Sequence, residues 1–195
     1  MIPFESNHTP DDSVNQKLTV LPTPQAGKVS LVIAPRQVVP QMMTMLATLA
    51  LRGRVVVVDG GNRFDGYALA RELRRHTPQV QDALKRILLS RAFTCYQTMA
   101  LLAKLPVDGT PVVVLDLLAT FRDENVNWGK RQRLLGSSLD FLKRISASAP
   151  VAVWACTHSP ALKEDPLLLT ALLEIAHDIW KLQELETPTH QHPLF

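Results

Sequence analysis

A chain of 195 residues, 46% hydrophobic and 20% charged, has the length of one ordinary domain and enough apolar side chains to bury a core, which excludes a disordered chain or a disulfide-stapled miniprotein. Its net charge of +3 permits a polyanionic partner without demanding one, and its two cysteines, Cys95 and Cys156, sit in apolar runs where a thiol behaves as a small buried hydrophobe. No run approaches the roughly 20 apolar residues of a membrane helix, and Met1 to Asn15 carries Glu5, Asp11 and Asp12 where a signal peptide would be basic and then apolar, so a cytoplasmic protein with no membrane contact is expected.

Residues 1–26 hold four prolines among polar residues with no sustained periodicity and are expected to form a flexible tail; residues 185–195, with Pro188, His190, His192 and Pro193, are expected to form another. One domain, 27–184, lies between them. Within it Val29 to Ala34, Val55 to Asp59, Ile87 to Ser90, Val112 to Asp116 and Val151 to Cys156 are short and almost wholly apolar, the composition of strands covered on both faces. Gln41 to Leu51, Tyr67 to Arg75, Tyr96 to Leu105 and Lys130 to Ser146 have the length and period of helices. In the last, Leu135, Leu139, Leu142 and Ile145 share one face, while Lys130, Arg133, Asp140 and Arg144 fall on another. Pro166 to Leu173 reads as a further helix and Ile175 to Leu182 as a final strand. The alternation predicts an α/β three-layer sandwich around a mostly parallel sheet.

In such sheets ligands bind beyond the carboxyl ends of the strands. The first of these loops runs from Ala34 through Arg36 and Pro40 to Gln41. A phosphate loop there needs glycines, a Lys for the β/γ-phosphates and a hydroxyl for magnesium, and none is present. Pro40 also removes one amide donor from the helix start, although proline suits a first helical turn for structural reasons; Arg36 reads as a solvated loop residue, with contact to an anion as the alternative. The second loop, Asp59-Gly60-Gly61-Asn62-Arg63-Phe64, is expected to turn by positive φ at its glycines, with close approach of another backbone as the alternative. Asp116 ends an apolar run, a pattern by which nucleotide hydrolases hold magnesium, but with no Lys and hydroxyl opposite it is expected to cap the following turn. His158 follows a strand at the same edge. His190 and His192 are too few to make a metal site, and no metal or cofactor is expected.

Taken in order, these segments resemble the recombinase branch of the RecA superfamily, the archaeal RadA and eukaryotic type. Val55 to Asp59 with Arg63-Phe64 resembles the strand that leads to its catalytic acid. Arg91-Ala92-Phe93-Thr94 with Gln97-Thr98 resembles its Arg-Ala-Phe run. Val112 to Asp116 with Ala119-Thr120-Phe121-Arg122 resembles its Walker B strand, Arg131-Gln132 the start of the helix after its first DNA-binding loop, and Val151 to His158 the strand leading to its sensor glutamine. The series spans about residues 28–183 and implies a RecA-like core. Set against that pattern, Val39-Pro40-Gln41 stands where the phosphate loop has Gly-Lys-Thr, Gly61 where the catalytic Glu stands, and His158 where the sensor Gln stands; only Asp116 is retained.

The resemblance therefore implies a non-catalytic accessory protein of DNA recombination or repair that binds single- or double-stranded DNA weakly, or docks on a recombinase or another repair protein. Its DNA-binding candidates are Arg122, Trp128, Lys130, Arg131, Arg133, Lys143 and Arg144, with Trp128 placed to stack on a base. The charged helix face is equally well read as solvated surface. The alternatives are a structural partner subunit without DNA contact, pairing through apolar loops or a sheet edge, including with a second copy of the chain, and a divergent nucleotide-binding ATPase. Phe4-Glu5-Ser6-Asn7 lacks the Phe-x-x-Ala tether by which recombinases polymerise, so filaments of that kind are not expected.

Overall fold

The computed structural model describes residues 21–157 and 166–182. Strands β1 (Val29–Ala34), β2 (Val55–Asp59), β3 (Ile87–Arg91), β4 (Val112–Leu115), β5 (Val151–Cys156) and β6 (Asp178–Lys181) form one sheet in the order β3-β2-β4-β5-β1-β6, with every pairing parallel. Helices α1 (Val39–Arg52), α2 (Gly66–Arg74), α3 (Val80–Lys85), α4 (Cys95–Lys104), α5 (Trp128–Ser146) and α6 (Pro166–Ile175) make the connections.

Period-two alternation divides the strand side chains between two cores. Val32, Val55, Val57, Val113, Leu115 and Trp154 pack with α1, α2 and α3 on one face. Leu31, Val56, Val58, Val112, Val114 and Val153 pack with α4, α5 and α6 on the other. The result is a three-layer α/β sandwich with helices on both faces of the sheet. Among the described residues no helix is long and apolar enough to cross a membrane.

Three expectations need correction. Leu21, read as tail, is 4% exposed and joins the α1-side core. The helix α3 is absent from the sequence reading: it has six residues, no side-chain cap and Ala83 as its only buried residue, too little for a periodic signal. Strand β3 is apolar but not covered on both faces, because it is the sheet edge and leaves Leu88 49% and Leu89 37% exposed. Both cysteines are buried as free thiols, and burial raises each thiol above its ordinary value.

Candidate functional site

Strand β2 ends in Asp59, its neighbour β4 is followed directly by Asp116, and both carboxylates are removed from water. Such a pair needs donors and cations, and the surrounding loops supply them. Asp59 accepts from the backbone N–H groups of Arg63 and Phe64 at 2.8 and 3.1 Å, and Arg91 Nε lies 3.5 Å from it. Asp116 Oδ2 takes both Nε and Nη2 of Arg63 at 2.9 Å, a two-pronged clasp, while its Oδ1 accepts from the Cys156 N–H at 3.3 Å. Arg122 stands 3.7 Å from the same carboxylate and donates to the Cys156 carbonyl at 3.1 Å.

Asp116 reaches this position through a left-handed backbone (φ 50°, ψ 58°), and its side chain makes no cap bond to the 3-10 turn Leu117–Phe121 that follows. The expected capping role is thus replaced by the arginine clasp. The glycines of the β2–α2 loop serve close approach, not positive φ: neither takes the left-handed region, which Asn62 adopts instead at 54°. A Cβ on Gly60 would fall 3.0 Å from the Asp116 carbonyl oxygen. A Cβ on Gly61 would fall 2.5 Å from Asp116 Oδ2 and 2.6 Å from its Cβ, so the Asp116 side chain fills the space that any residue but glycine would claim at 61.

Arg36 lies exposed in a 3-10 turn ahead of α1, and Pro40 sits in the first turn of that helix, which has no side-chain cap. Gln41 is half-buried, and among the described residues its Oε1 has no hydrogen-bond partner. Between this loop and the start of α2 runs an open cleft of about 500 Å³, lined by Arg36 and Val39 on one side and Asn62, Phe64 and Tyr67 on the other. The structure thus brings Arg36 near the Asp116 side of the sheet edge, with Arg63 joining the cleft to the clasp. His158 lies outside the described residues.

The DNA-binding candidates do not form one patch. Arg131 is 7% exposed, donates to the Phe121 carbonyl at 3.3 Å and stacks 5.2 Å from the Trp128 ring, itself half-buried against the core. Arg122 is committed to Cys156 and Asp116. Arg131 is thus buried, while Arg122 and Trp128 are half-buried. Lys130, Arg133, Lys143 and Arg144 are exposed. Lys130 lies over the Tyr96 ring at 5.0 Å and Arg133 bonds the Gly129 carbonyl. Arg144, over Phe141 at 5.0 Å, lies about 20 Å along α5 from Lys130 at 1.5 Å per residue.

Sequence reasoning did not single out Arg63, Asp59 or Arg91 as site residues. The signal was present in two adjacent strands that end in or run directly into acids, each followed or faced by an arginine.

Fold and site together define a three-layer α/β protein whose carboxyl-edge acids are held by its own arginines. No family model matches the sequence, and no curated protein matches it.

Proposed function

We propose that this chain is a RecA-like protein that does not turn over ATP and acts by binding, as an accessory of DNA recombination or repair that contacts DNA weakly or docks on a recombinase or another repair protein. The observation that carries this reading is the Arg63–Asp116 clasp: the one retained nucleotide-site acid is buried under a two-pronged ion pair, with Gly61 pressed against it. A magnesium ion would have to displace two charge-assisted bonds of a pair almost shielded from solvent. The absence of a phosphate-loop Lys followed by Ser or Thr at Pro40 and Gln41 acts in the same direction.

The second reading, a structural partner subunit, is favoured by the β3 edge. Leu88, Leu89 and Phe93 (74% exposed) place apolar surface along strand backbone that is unpaired among the described residues, the arrangement that strand addition uses. Titration of a fluorescent ATP analogue with magnesium, and separately of labelled single-stranded DNA at low and moderate salt, separates the readings. DNA binding without nucleotide binding is expected. Saturable magnesium-dependent nucleotide binding would revive the ATPase, and neither signal would leave the partner subunit.

A further inference from the structure

The exposed face of α2 has no role in the sealed acid site. Tyr67, Arg71 and Arg74 follow i, i+4, i+7 spacing opposite the buried Leu69 and Leu73, so one stripe carries an aromatic ring and then two guanidinium groups, about 6 and about 10 Å further along the axis. Tyr67 is 94% exposed. Among the described residues Arg71 and Arg74 make no ion pair or side-chain hydrogen bond. The acids around them are already engaged: Glu72 holds Arg75 and His76, Asp82 holds Lys85, and Asp65 caps α2 by accepting from the Tyr67 and Ala68 N–H groups. The stripe begins at the cleft, where Arg36 stands exposed on the facing wall.

We infer that Tyr67, Arg71 and Arg74, with Arg36 across the cleft, form a track for single-stranded nucleic acid. A fully open ring offers both faces to a base, and planar guanidinium groups with no carboxylate partner pair well with successive phosphates. A duplex hides its base faces from Tyr67, and an acidic peptide gives the ring nothing to stack on. The track is distinct from the cations of α5, because α2 and α5 cover opposite faces of the sheet. The inference deepens the DNA-binding arm of the proposal above and rests on that arm alone.

The test is fluorescence anisotropy of the full chain with a labelled oligothymidylate and a duplex of equal length over a range of salt. Arg71→Glu with Arg74→Glu is expected to weaken single-strand binding at least about tenfold and to flatten the logarithmic salt slope by about 1.4, as for two lost phosphate contacts. Tyr67→Ala is expected to weaken it about fivefold or more with the slope unchanged, and Tyr67→Phe to retain it. Should charge reversal unfold the chain, Arg71→Ala with Arg74→Ala serves in its place. The inference is overturned if the wild-type chain binds no single strand, if the duplex binds equally well, if polyglutamate competes as well as an oligonucleotide, or if only Lys130→Glu with Arg133→Glu abolishes binding. In the last case the broader DNA-binding proposal stands and this track does not.

Discussion

Arg63 is 10% exposed at its side chain and Asp116 is fully buried, so their ion pair is screened little by solvent. Truncating Arg63 to alanine leaves a buried carboxylate with the Cys156 N–H and a more distant Arg122, and urea unfolding should show a loss of about 3 kcal/mol. A loss below about 1 kcal/mol would mean that Arg122 swings in and the clasp is redundant. Gly61→Ala should cost about 2 kcal/mol in the same assay, since its Cβ must displace the Asp116 side chain and not merely change a turn. The sequence made Gly61 and Asp116 legible as residues of a loop at the carboxyl edge of the sheet, because residue type at a strand end is local information. It did not show that the two touch, nor that Arg63 closes over them, since both facts depend on β2 and β4 being neighbours 53 residues apart in the chain at the clasp. The same limit explains Arg131: a cation at the start of a basic helix looks solvated until the Phe121 carbonyl and the Trp128 ring are found beside it.

Elements were most legible where a strand is covered on both faces. β1, β2 and β5 coincide with their apolar runs because such a run is what two helical layers demand of a strand. β3 shows where this fails, because an apolar run reports what a strand is made of and not whether neighbours cover it. Its exposed leucines point to opposite faces of the sheet, Leu88 beside Val56 and Leu89 beside Val57, so the edge is apolar on both sides. Leu88→Lys with Leu89→Lys should cost about 2 kcal/mol of stability, since each leucine is still half-buried or more, while abolishing any self-association seen by sedimentation. Helix α4 follows the edge with a cap of its own: Thr94 accepts from the Gln97 N–H, and Gln97 in turn accepts from the Phe93 N–H. The position that would staple Phe93 to the helix is Thr98, whose hydroxyl is buried against Thr120, so the ring stays outside. Thr94→Ala should lower stability by about 1 kcal/mol, read from thermal melts.

At the scale of the whole molecule, the parallel sheet sends every connecting helix back across its face, so the helix starts gather at the edge that holds Asp59 and Asp116 and the helix ends gather at the other. Lys or Arg occupies the last turn of α1, α2, α3, α4 and α5, which complements the negative ends of their dipoles. At the site edge the first turns of α1, α2, α4 and α5 contain no acid, and Arg36 and Arg91 are exposed beside them. Helix starts and exposed arginines hold anions weakly even without a phosphate loop, although Asp65 caps α2 and Asp123 and Glu124 precede α5 at the same edge, so weak ATP binding by itself would not reveal a nucleotide pocket. Thermal melts with millimolar magnesium ATP and with magnesium tripolyphosphate separate the two effects. Stabilisation follows the logarithm of ligand over Kd, so a ligand held only by field should shift Tm by the same small amount whether or not it carries adenosine. Equal shifts are the expected result. A larger shift with ATP would mean that the base and ribose find contacts of their own, and a chain that recognises adenosine beside Asp116 would no longer be well described as acting by binding to partners alone.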